Sequence, residues 1–193
     1  MEFVAASMSN ELSNTDKLNE FYEELKRLKT NVHPPCINNC FAEFVTRKNN
    51  FYYALGAIKN VGYESISLIV KEREKNGKFK SLEDFISRVD PKNINKLQLE
   101  GLVKSGSFDS IFANRKLLFD SIPRIIQSSK ITYENKINNQ TSLFNNENQK
   151  ISYLIQNKNS KNWPNEEVLA KEFESVGSYI SNHPLKDHEE ILK

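Results

Sequence analysis

The sequence predicts a mainly α-helical chain with one small β-hairpin, and three observations carry that prediction. Apolar residues recur at helical spacing, from Leu18, Phe21, Tyr22, Leu25 and Leu28 near the start to Leu117, Leu118, Ile122 and Ile125 further on. Residues suited to capping, Asn14, Ser81, Asn93 and Asn114, stand just ahead of such runs. Runs rich in aromatic and β-branched residues occur at Phe41 to Thr46 and Phe51 to Ala54, on either side of the turn-like Arg47-Lys48-Asn49-Asn50.

Taken in order, Asn14 or Thr15 caps the first helix, which ends before His33-Pro34-Pro35 because proline cannot continue a helix. The hairpin follows; two strands alone are not stable, so they must pack on helices. From Leu55 to about residue 132 the pattern is helical. Ser81-Leu82-Glu83-Asp84 resembles a capping box ahead of Phe85, Ile86 and Val89, and Asp90-Pro91 stops that helix. Asn93 caps the next, with Ile94, Leu97, Leu102 and Val103 inside, and Gly106 sits where a left-handed residue closes a helix. Asn114 opens another, with Pro123 as a kink. Tyr133 to Asn162 is dominated by Asn, Gln, Lys and Ser; too few apolar groups remain to offset its ordering entropy, so a flexible linker is expected. Pro164 to Val176 reads as a helix, with proline at its start and Gly177 past its end. Asn182-His183-Pro184 then interrupts the chain.

Hydrophobic residues make up 38% of the 193, enough for a modest core. No apolar run approaches the length of a membrane span, and Met1 to Met8 lacks the pattern of a secretory signal. A cytoplasmic protein is expected, and Cys36 and Cys40 suit a reducing compartment. With His33 those cysteines fall short of structural zinc spacing, so no metal is expected here. The net charge is only +2, but Arg47 to Lys80 holds eight Lys/Arg against three acids. That is a footprint suited to phosphate, although a solvated helix face with alternating signs gives the same count.

The most informative local feature is the tight turn Lys59-Asn60-Val61-Gly62. Leu55 and Ile58 before it and Ile66, Ile69 and Val70 after it form one apolar surface, which Val61 joins. The turn leads into a helix, so free N–H groups of Val61, Gly62 and Tyr63 are expected at a helix N-terminus, where donors and dipole both favour an anion. Lys59, and Lys71 further on, add positive charge. Such a turn fits a phosphate and is too short to read a base edge. An ordinary αα-hairpin without a ligand has the same local pattern. Leu-Gly-Ala-Ile-Lys-Asn-Val-Gly looks like the helix-hairpin-helix motif, with Asn60 where that motif usually has glycine. A second, looser unit puts Lys104, Ser105, Gly106 and Ser107 between helices, which makes a tandem helix-hairpin-helix domain.

Together with Asn14-Thr15-Asp16-Lys17-Leu18, Tyr53 to Lys59, Phe79 to Phe85, Leu102 to Asp109 and Tyr179 to Leu185, these segments resemble the bacterial C-family replicative polymerases, the DNA polymerase III alpha subunits. The motifs stand in the family's order along nearly the whole chain; Asn182 replaces a frequent glycine. The resemblance implies the end of the fingers over residues 1–40 and the β-hairpin with the tandem DNA-binding domain over 41–132. It implies a linker over 133–162 and a C-terminal helix over 163–193, leading toward an OB-fold. The palm carboxylates and their two Mg ions would lie upstream, leaving this segment without a cofactor or catalytic residue of its own. Gln140-Thr141-Ser142-Leu143-Phe144 matches the pentapeptide by which bacterial polymerases hold the beta sliding clamp. Leu143 and Phe144 are apolar side chains free to fill a partner's pocket. Duplex DNA, the clamp and other polymerase III holoenzyme subunits are the implied partners.

Two other classes share part of this pattern. A helix-hairpin-helix glycosylase has a lysine after the hairpin glycine, where Tyr63 and Glu64 stand here, so base excision is not expected. A free-standing helix-hairpin-helix protein of DNA repair, or a scaffold that uses the hairpins to bind protein, keeps the same local pattern.

Overall fold

Helix α1, Glu2–Ser9, begins the chain although nothing in the sequence caps it. It is held by burial of Ala5 and Met8, and by Ser9 Oγ, which accepts from the Phe44 N–H and donates to the Ala5 carbonyl. The computed structural model describes residues 1–48, 50–137 and 160–181, with seven α-helices and one three-stranded sheet among them. Helix α2, Thr15–Arg27, is capped by Asn14, whose side chain accepts from the Lys17 N–H. It buries Leu18, Tyr22 and Leu25 at the spacing of one helix face.

The expected hairpin is present, shorter than its sequence signal and with a third strand. Strands β2, Val45–Arg47, and β3, Asn50–Tyr52, pair antiparallel, while β1, Val32–His33, pairs parallel to β3. The His33 ring stacks on Tyr52 at 4.6 Å across that added edge. β1 escapes a sequence reading because the prolines at 34 and 35 mark its end and two residues show no alternation.

The segment before the first hairpin turn is a 3-10 turn, Leu55–Ala57, and not an α-helix. The Leu55 and Gly56 N–H groups donate to the Phe41 and Ala42 carbonyls, so the segment is tied down and reverses after one turn. Helix α3, Tyr63–Asn76, follows, then α4, Leu82–Arg88, capped by Ser81. Arg88 ties the two together, pairing with Glu72 of α3 and Asp84 of α4. A 3-10 turn, Pro91–Asn93, leads to α5, Lys96–Lys104. Its cap is Asn95, not Asn93: the Asn93 N–H is used in the 3-10 turn, and Asn95 has Gln98 three residues on to complete a reciprocal box.

Helix α6, Arg115–Ile137, carries Pro123 within it and runs through the first residues of the tract read as linker. The segment 138–159 lies outside the described residues, and with it Gln140, Thr141, Ser142, Leu143 and Phe144. Residues 182–193 lie outside as well. Where the chain resumes, Asn114 Nδ2 donates to the Ser160 carbonyl and Trp163 packs on Phe119. Helix α7, Asn165–Val176, then lies across the earlier helices and ends at the left-handed Gly177.

One hydrophobic core runs through these elements. Met8, Leu18 and Leu25 share it with Leu55, Ile58, Ile66, Leu102 and Trp163. Phe79, Phe85 and Phe108 meet edge to face at 5.1 Å in its centre. Burying each such side chain contributes about 1.5–3 kcal/mol.

Candidate nucleic-acid interface

Leu55, Ile58, Val61, Ile66, Ile69 and Val70 are all buried, so the apolar surface read from the sequence is the inner side of the first hairpin. The reversal falls on Asn60, whose φ of 65° is left-handed. Gly62 has φ −74°, which any residue adopts. Asparagine tolerates the left-handed region better than most side chains, so the glycine usual in the motif is dispensable here. Two contacts fix the turn to its surroundings. The Lys59 N–H donates to the Ser175 carbonyl at the end of α7 at 2.9 Å. Gly101 of α5 lies so close beneath the turn that a Cβ there would stand 2.6 Å from the Lys59 carbonyl oxygen.

Gly62 is the N-cap of α3 and makes no side-chain cap. The Val61 N–H, expected to be open, donates to the Ile58 carbonyl at 3.0 Å and closes the turn. The open set is therefore shifted by one position. The N–H groups of Gly62, Tyr63, Glu64 and Ser65 have no hydrogen-bond partner among the described residues. Gly62, Tyr63 and Glu64 are exposed, and so are Lys59 and Asn60. Four unpaired donors at the positive end of a 14-residue helix are an arrangement suited to an anion. Lys59, three residues before Gly62, lines a polar cleft of about 750 Å³ with Asp16 and Glu174, and its charge helps hold the Glu174 carboxyl low.

The basic segment around the turn is less available than its residue count suggests. Arg73 is 6% exposed, and its guanidinium donates to the Ile37 and Cys40 carbonyls at 2.7 and 2.6 Å. Burial pulls its pKa below the ordinary arginine value, and its task is to pin the loop before the hairpin onto α3. Arg47 lies over the Phe41 ring, and Lys78 donates to Asn39. Lys71 is exposed but about 12 Å along α3 from Tyr63, by the helical rise. Of these charges, Lys59 is the one at the open helix end. Nor do His33, Cys36 and Cys40 form a ligand set: the Cys40 thiol faces the Pro34 carbonyl, and burial pushes its pKa up to about 12.

The turn Lys104-Ser105-Gly106-Ser107 is built the other way round. It closes α5 and does not open a helix. Gly106, at φ 77°, donates to the Val103 carbonyl, Ser107 to Leu102, and Ser105 to Gly101. All three N–H groups are thus used within the chain, in the double bond pattern of a helix C-terminus. Ser105 and Ser107 are buried and bond to each other at 2.8 Å. Lys104 pairs with Glu174 at 2.7 Å, and that bond holds the Glu174 carboxyl below the ordinary carboxylate range. Against Gly106 lies Arg115, which bonds Asp109 and the buried Glu172. Burial alone would lower the Arg115 pKa, but the two carboxylates outweigh it and hold it above its usual value. Glu172 also accepts from the N–H and hydroxyl of Ser181.

The second helix pair is α4 and α5, joined by Val89 to Asn95, and repeats the short-helix, turn, longer-helix order of the first. Its turn contains no glycine, whereas Gly106, the glycine nearest to it in a lysine-bearing turn, closes α5. A model for the helix-hairpin-helix motif matches residues 29–118, which takes in both pairs. Curated relatives include the DNA polymerase III alpha subunits of Borreliella burgdorferi, 41% identical over 98% of this chain, and of Caulobacter vibrioides, 35% identical over 100%. That of Campylobacter jejuni is 36% identical over 95%. Along its length, this chain resembles one segment of the DNA polymerase III alpha subunits. It spans 17% of the length of the Borreliella and Caulobacter proteins, which are therefore much longer. The helix-hairpin-helix pairs described above fall within the stretch shared with these polymerase III alpha relatives. No described helix is long and apolar enough to cross a membrane.

Proposed function

We propose that this chain is the part of a polymerase III alpha-type enzyme that holds duplex DNA by its backbone without reading its sequence. The observation that carries this reading is the uncapped start of α3, with the N–H groups of Gly62, Tyr63, Glu64 and Ser65 free beside Lys59. Backbone donors and a lysine recognise a phosphodiester, which is the same for every base. The grip is assigned to the first turn. Lys104, Ser105, Gly106 and Ser107 support its frame, since their donors are engaged inside the protein. In the longer enzyme, such a grip would keep the duplex close to the site of DNA-templated synthesis, where two Mg ions would act.

Titration of random-sequence and defined duplexes at several salt concentrations tests this. The expected result is equal affinity for all sequences, with log K falling by about 0.9 per phosphate neutralised for each decade of salt. Binding indifferent to salt, or none at low salt, refutes the duplex reading and favours a scaffold role. Asn60→Val should weaken both fold and binding, because a β-branched residue at φ 65° costs roughly 1–2 kcal/mol.

We further propose that Gln140 to Phe144 docks to the beta sliding clamp, a reading supported by the sequence match. Attachment to DNA through the hairpin raises the peptide's effective concentration at the clamp. The double substitution Leu143→Ala with Phe144→Ala should abolish capture by the clamp and leave duplex affinity as it was. Cytoplasmic location and contacts to other holoenzyme subunits belong to the same proposal.

A further inference from the structure

The open end of α3 receives one more polar group, and it comes from another helix. Gln98 stands in the first turn of α5, and 7% of its surface is exposed. Its Oε1 accepts from the Asn95 N–H at 2.9 Å, while its own N–H donates to Asn95 Oδ1 at 2.9 Å. The reciprocal box decides which end of the carboxamide is which: the oxygen faces Asn95, so Nε2 points the other way. Nε2 has no hydrogen-bond partner among the described residues and is not one of their buried unpaired atoms, so it reaches the surface. It lies 3.4 Å from the point where a Cβ on Gly62 would stand, and Ser65 Oγ lies 3.8 Å from that point. The space that glycine leaves free is thus bordered by an amide donor and a hydroxyl, against the unpaired N–H groups that open α3.

We propose that Gln98 is a phosphate-binding residue, its Nε2 donating to the oxygen of a phosphate or phosphodiester held at the α3 N-terminus. The second helix pair then contributes to the first pair's phosphate, and the two converge on one site. This rests on the duplex reading for its ligand. It also explains Gly62, whose φ does not require glycine: a side chain there would cover Nε2 and block the anion.

The test uses the whole chain with Gln98→Met and Gln98→Glu. Met keeps the length and removes both the donor and the oxygen that accepts from the Asn95 N–H. Glu keeps an oxygen for the Asn95 N–H, so the cap survives, and turns the donor into a negative acceptor. Gln98→Met is expected to weaken duplex binding about tenfold, the size of one hydrogen bond to a charged group. The slope of log K against log salt should stay unchanged, because a neutral donor releases no counterion. Gln98→Glu should bind more weakly still, although Asn95 keeps its acceptor. Leu97→Glu, a new carboxylate on the exposed neighbour, should weaken binding less.

A Gln98→Glu chain that binds like the unsubstituted one overturns the assignment. So does a Gln98→Met chain whose salt slope flattens, since that marks a displaced hairpin and not a lost contact. NMR of the Gln98 side-chain amide separates the two ideas. Shifts on adding duplex and on adding inorganic phosphate support both. A shift with phosphate and no binding of duplex keeps Gln98 as an anion donor and overturns the duplex reading. Duplex binding with no shift at Gln98 overturns the assignment and spares that reading.

Discussion

The turns at Lys59 to Gly62 and Lys104 to Ser107 look alike as strings, each a lysine followed closely by a glycine, yet they face opposite ways. The first leads into a helix and leaves four N–H groups of α3 unpaired at the surface. The second leads out of one, and its N–H groups fold back onto the carbonyls that α5 leaves behind. A helix start offers donors and positive potential; a helix end offers acceptors, which the chain satisfies itself. The order of turn and helix, more than the residues in the turn, decides which can hold an anion.

The sealed turn should be the costlier to disturb for stability. Gly106→Ala puts a Cβ at φ 77° directly into the Arg115 guanidinium. Arg115 must then withdraw from Glu172, which is 2% exposed and would be left as a buried carboxylate with no opposite charge, held by Ser181 alone. Breaking a buried pair in this way costs about 3–5 kcal/mol. Thermal melting should show a large drop, while the folded fraction at low temperature should bind duplex as before. A melting temperature unchanged by Gly106→Ala contradicts the sealed-turn description.

The two lysines sharpen the contrast. Lys59→Ala should lower duplex affinity severalfold and make the slope of log K against log salt shallower by about 0.9, the loss of one phosphate contact. Lys104→Ala should leave that slope unchanged, because Lys104 already faces Glu174 and its side chain is 16% exposed. Equal changes in slope for both variants would mean that both turns reach DNA.

How much of this could be read beforehand depended on whether local chemistry or distant packing made the decision. Asn14, Ser81 and Gly177 act where their types suggest, because a cap or a left-handed residue is a local matter. The mainly helical class and the inward face of the first hairpin follow from periodicity. Helix α1 is not legible in the sequence, because tertiary burial of Ala5 and Met8 holds it, not a cap. Arg73 reads from the sequence as one more charge of the basic segment, and only the carbonyls of Ile37 and Cys40, over thirty residues away, draw it inside. Gln98 reads as an ordinary helix residue until α5 is packed beneath the first turn. The geometry that one segment makes is legible in the sequence, and the geometry that two segments share is not.

The mildest contrast concerns two acids. Glu64 lies in the first turn of α3, exposed, with its carboxylate near the donors that a phosphate would use. It favours the helix dipole in the free protein and repels the ligand in the bound one. A surface charge at a helix terminus is worth about 0.3–1 kcal/mol, so Glu64→Gln should cost little stability and tighten duplex binding about two- to fivefold at low salt. The gain should fade as salt rises, because the repulsion is screened. Asp109, at the other turn, bonds the Arg115 guanidinium at 2.7 Å. Asp109→Asn should therefore lower the melting temperature and leave binding alone. If Glu64→Gln fails to tighten binding at low salt while Lys59→Ala still weakens it, the phosphate lies on the lysine side of the turn and not over the N-terminus of α3.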